Sequence, residues 1–90
     1  MLSQRQLQQL CEVCAKLNFN KIVEVGELSN APVYQFTFSN FPKGTKLGYP
    51  VLYSFVNEEL VELNLDQIRQ VIQQDLFRSG GKVIKQIGVN

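Results

Sequence analysis

Cys11 and Cys14 are the only two thiols in a chain of 90 residues that contains no histidine. Their spacing is that of a Cys-x-x-Cys motif, and such pairs become reactive when a helix N-terminus lowers the thiol pKa. Here the pair follows Leu7 and Leu10, placing it in the second and third turns of a predicted helix, where that help is largely lost. A structural zinc site needs four ligands, and two thiols with no imidazole do not supply them. Without histidine, Ser-His-Asp and Cys-His catalysis and histidine-containing metal sites cannot be built from one chain. The expected role of the two cysteines is a small apolar seam, since buried free cysteine packs as a small hydrophobe.

The carboxylates offer no better start for catalysis. Glu58, Glu59, Glu62 and Asp66 form an acidic stretch, but a general acid needs burial or a close like charge to raise its pKa. Glu58 and Glu59 fall in a predicted turn, where water keeps both ionised. No catalytic residue, metal or cofactor is therefore expected, and the chain is expected not to be an enzyme.

The loop at residues 39–50 has other possibilities. Phe41, Lys43, Lys46 and Tyr49 combine cations with aromatic faces, which could clamp a phosphate and stack a base. The pattern is not a phosphate-binding GxxxxGK[ST] loop between strand and helix. Arg78, Gly80, Gly81 and Lys82 read more simply as a helix stop, with glycine turning the chain and cations facing the negative helix end.

The elements that must hold these groups follow from periodicity. Ser3 and Gln6 form a capping box that opens a helix over residues 4–17. Its stripe is Leu7, Leu10, Cys11, Cys14 and Leu17. Strands are predicted at 21–28, 33–38 and 51–56, with a short fourth at 60–63. Asn64 and Gln67 cap a second helix, which ends near residue 78 at Gly80-Gly81, and residues 82–87 make a last strand. The order is α-β-β-β-(β)-α-(β). Clustered strands flanked by helices argue for a single α+β domain over residues 1–90: a two-layer sandwich, with an antiparallel sheet of three to five strands and both helices on one face.

From residue 33 to residue 87 this order loosely resembles the small linker domains of cyanobacterial light-harvesting assemblies. Those end in a helix, Gly-Gly-Lys and an aliphatic strand, as Ser79-Gly80-Gly81-Lys82-Val83-Ile84 does here. The second helix is a turn longer than in that family, strand 60–63 is extra, and the first helix and strand have no counterpart. No family is identified by it.

Function is narrowed mainly by exclusion. The formal net charge of +1 removes the broad field that draws proteins to nucleic acid or anionic lipid, so any nucleic-acid binding should fade at physiological salt. No apolar run is long enough to cross a bilayer, and residues 1–17 lack the apolar core of an export signal. Two cysteines without a disulfide framework point to a reducing cytoplasm. If both helices cover one sheet face, Ile22, Leu28, Val33, Leu52 and Val56 share the other. An apolar face of that kind implies a protein partner, foremost a second copy of the chain. The leading expectation is thus a non-enzymatic interaction module (an adaptor, regulatory subunit or small assembly factor) that forms homodimers through its sheet. The alternative is a nucleic-acid or phosphate-ligand binder using Phe41, Lys43, Lys46 and Tyr49.

Overall fold

The computed structural model describes residues 2–39, 44 and 48–87. Among these, helix α1 (Gln4–Lys16) is followed by strands β1 (Lys21–Leu28), β2 (Ala31–Thr37), β3 (Val51–Val56) and β4 (Glu59–Glu62). Helices α2 (Leu65–Ile72) and α3 (Asp75–Arg78) and strand β5 (Lys82–Gln86) complete the order. The strands form one antiparallel sheet in the order β4-β3-β2-β1-β5.

Both predicted capping boxes are present. The Ser3 hydroxyl accepts from the Gln6 N–H and the Gln6 amide accepts from the Ser3 N–H, and Asn64 and Gln67 repeat the exchange at α2. Each box satisfies two backbone donors that a helix start otherwise leaves unpaired.

The two hairpins turn on residue pairs with positive φ, Ser29-Asn30 and Asn57-Glu58. Positive φ at both central residues matches the twist of the flanking strands, and Asn-Gly is the pair best suited to it. Glu58 holds φ +67° with a side chain that disfavours it. Glu58→Gly is therefore expected to raise stability by about 1 kcal/mol, read as a higher urea midpoint at unchanged slope.

The helix expected over residues 64–78 is broken in two. At the break, Gln74 leaves helical geometry with ψ 151° and turns its amide onto strand β1. It accepts from the Glu27 N–H at 2.7 Å and donates to the Glu27 carbonyl at 2.6 Å, as a neighbouring strand would. A Cβ on Gly26 would collide with this same amide oxygen, so the close approach requires glycine there.

The layer arrangement corrects the expected two-layer sandwich. The helices lie on opposite faces of the sheet, and the structure has two cores. On one face, Leu10 and Cys14 of α1 pack with Ile22, Tyr34 and Phe36. On the other, Ile68 and Val71 of α2 pack with Val23, Val25, Val33, Leu52 and Leu63. The physical cause is legible in β1, where consecutive Ile22 and Val23 are both buried and point to opposite sides. A strand apolar on both faces needs cover on both.

A bulge in β1 decides where the rest of that strand points. Pairing with β2 shifts between Glu24 and Gly26, so Val25 is an extra residue and everything after it changes side. Leu28 consequently packs in the α2 core, although its even number matches Ile22 in the α1 core.

Candidate functional site

The residues expected to form one partner face are divided and mostly covered. Ile22, Val33 and Leu52 are 0% exposed, Ile22 in the α1 core and the other two in the α2 core. Leu28 is half-buried against the α2 core. Val56, at the end of β3, is the one that remains exposed. An open apolar sheet face thus does not exist among the described residues, and pairing through it is withdrawn. Of the alternative ligand loop, Phe41, Lys43 and Lys46 lie outside the described residues. Tyr49 is described, and it is 62% exposed.

Tyr49 stands at the rim of a groove of about 590 Å³, formed because α2 and α3 cover only part of their sheet face. Its floor is a set of cross-strand neighbours, Lys21 opposite Thr37 and Val23 opposite Gln35. Phe77 of α3 and Gly80 form one wall, with Gly48, Tyr49 and Pro50 lining another part. Phe19 and Phe38 also line the groove, with ring centroids 5.0 Å apart. Lys21 is the one charged side chain among the described lining residues. This combination gives aromatic surface, an ammonium, an amide and a hydroxyl within one concavity, the usual composition of a binding site.

Sequence reasoning missed Lys21, Gln35, Thr37 and Phe77. A signal was present: three polar residues, Lys21, Gln35 and Thr37, fall at neighbouring sheet positions on the face that also carries Val23, Val33 and Leu52. Polar side chains grouped there mark the part of the face that α2 does not reach.

A second concavity of about 620 Å³ lies between the start of α1 and the opposite sheet face. Glu24, Glu58 and Lys82 line it, Glu24 and Lys82 as cross-strand neighbours.

The thiols sit apart from the groove. Cys14 is fully buried with its Sγ 4.0 Å from the Lys21 carbonyl, and Cys11 is half-buried. Burial pushes the Cys14 thiol above its ordinary pKa, the nearby Cys11 adds to this, and the contact with Lys21 opposes it. Cys14 is therefore held as the neutral thiol, which is not the nucleophilic form. Under native conditions near pH 8, iodoacetamide is expected to modify Cys11 first, with Cys14 slower by about tenfold or more. Mass spectrometry of the time course would show the order. Among the described residues, no group of three or more cysteines or carboxylates is placed to hold a metal.

No family model, curated protein or solved structure matches the chain. No described helix is long and apolar enough to cross a membrane.

Proposed function

We propose that the chain is a non-enzymatic interaction module that receives a short segment of a partner protein in the groove floored by Lys21, Val23, Gln35 and Thr37. The observation that supports this reading most is the pairing of aromatic walls with a single cation. Phe77, Tyr49 and the Phe19–Phe38 pair offer apolar surface to a bulky side chain. Lys21, with Thr37 directly opposite it, offers charge and a hydroxyl to a carboxylate one residue away. The matching ligand is a peptide with an aromatic or leucine side chain next to Asp or Glu. A reducing cytoplasm suits a protein with two free thiols.

The test is a ¹⁵N-resolved titration with short peptides of that composition, and in parallel with a single-stranded oligonucleotide. Saturable shifts at Val23, Gln35 and Thr37 with the acidic-aromatic peptide, weakened by Lys21→Glu, support the reading. Shifts at the same residues with the oligonucleotide alone transfer the groove to a nucleic-acid ligand. No shift with either rejects the groove as a binding site.

A further inference from the structure

The sheet ends on two strands of opposite charge. At one edge β4 reads Glu59-Leu60-Val61-Glu62, and at the other β5 reads Lys82-Val83-Ile84-Lys85-Gln86. Each edge has the same burial pattern through its centre: an exposed valine beside a half-buried aliphatic residue, with exposed charges around them. Val61 is 41% exposed and Val83 50%. Edge strands present unpaired backbone groups, and charged side chains are a common guard against edge-to-edge pairing. That guard acts between like edges. It does not act between edges of opposite sign.

We propose that copies of the chain assemble head to tail, with β5 of one copy beside β4 of the next. The topology supports this directly. Every neighbouring pair in the sheet is antiparallel, so β4 and β5 run in the same direction. A second copy displaced sideways, without being turned over, therefore presents its β4 parallel to β5. The faces also correspond. Val61 lies opposite Ser54 and Val83 opposite Val23, which places both valines on the α2 side. Glu62 lies opposite Tyr53, and Lys82 and Lys85 lie opposite Glu24 and Ile22, which places these three charges on the α1 side. The continued sheet brings valine beside valine on one side and Glu62 towards the two lysines on the other.

Charge also disfavours the symmetric alternatives. A two-fold axis normal to the sheet would pair β5 with β5, lysine against lysine, or β4 with β4, glutamate against glutamate. Unlike edges form a heterologous contact, which propagates to rings or filaments and does not stop at a dimer. With strands of four and five residues the contact is small, so the association is weak and depends on concentration. This inference does not depend on the groove, which is lined by neither β4 nor β5.

Sedimentation of the full chain, from about 10 µM to about 1 mM at low salt, tests it. The expected result is a mean mass that keeps rising past that of a dimer and falls back when salt screens the charges. Lys82→Glu with Lys85→Glu makes both edges acidic, and Glu59→Lys with Glu62→Lys makes both basic. Each double variant alone should associate at least about tenfold more weakly than the wild type, and mixing the two should restore association. Circular dichroism of each variant confirms that it is folded. As a readout without charge changes, equal amounts of Val61→Cys and Val83→Cys chains, each in a Cys11→Ser background, should form the mixed disulfide well beyond the twofold excess over either homodisulfide that random pairing gives. A wild-type chain that stays monomeric throughout overturns the proposal. So does a mass that levels off at a dimer, or a mixed disulfide that does not exceed its random share of half the product.

Discussion

Leu52→Lys is expected to leave the chain unfolded. Leu52 is 0% exposed in the α2 core, among Val33, Leu63 and Val71, with none of the edge position that would let a lysine reach water. The substitution removes a buried aliphatic side chain and brings an unpaired ammonium into its place. The combined cost is about 5 kcal/mol or more, comparable to the whole stability of a small domain. Loss of the far-ultraviolet β signal and of cooperative melting would show it. A folded Leu52→Lys protein would mean that this face is open, as the sequence alone implied. Leu52→Met should be tolerated, because volume-conserving exchanges in a core typically cost less than about 1.5 kcal/mol.

Gly81→Ala is expected to be strongly destabilising, and Gly80→Ala serves as its control. Both glycines have positive φ, +89° at Gly80 and +77° at Gly81. Both substitutions therefore carry the strain of a left-handed alanine, about 1 kcal/mol. They differ in what the methyl group meets. At Gly80 it finds open space. At Gly81 it would lie 2.5 Å from Val23 Cγ1 and 2.6 Å from the Glu24 carbonyl oxygen, inside β1. Strand β1 lies inside the sheet, between β2 and β5, and cannot withdraw without disturbing its pairing with both. The expected loss is about 3 kcal/mol at Gly81 and about 1 kcal/mol at Gly80, measured by denaturant unfolding. Equal losses would show that conformational strain alone accounts for both positions.

These expectations mark where sequence reasoning holds and where it stops. Helix starts were legible, because Ser3–Gln6 and Asn64–Gln67 carry their partners at fixed short spacing. The order of the strands was legible too, but the turns are tighter than expected: β2 starts at Ala31 and not at residue 33, and Glu59 lies in β4 and not in the turn. The assignment of faces was not. In β1 a side chain's direction follows a strict alternation until one inserted residue; Gly26 inside the strand signals a bulge, but it does not say that Val25 is the extra residue. The shift becomes visible only through pairing with β2. The break between α2 and α3 was hidden in another way. Gln73 and Gln74 continue a helix as readily as they end one, and what ends it is Glu27, 47 positions earlier in the chain. The groove depends on that break, since Phe77 reaches its wall from α3. The polar floor of Lys21, Gln35 and Thr37 left a trace in the sequence, but the walls that make it a groove are built by long-range contacts and could not be located from spacing along the chain.

The Gln74 tether has a further consequence in how the molecule answers its surroundings. A primary amide bears no net charge and does not titrate near neutrality, so its two bonds to Glu27 are indifferent to acid, base and ionic strength over the ordinary range. The clasp that positions α3 is chemically silent, while the lysines and glutamates of the outer strands respond to every change of salt. In the proposed assembly, salt would thus adjust the contact between copies while leaving the bonds that position α3 untouched.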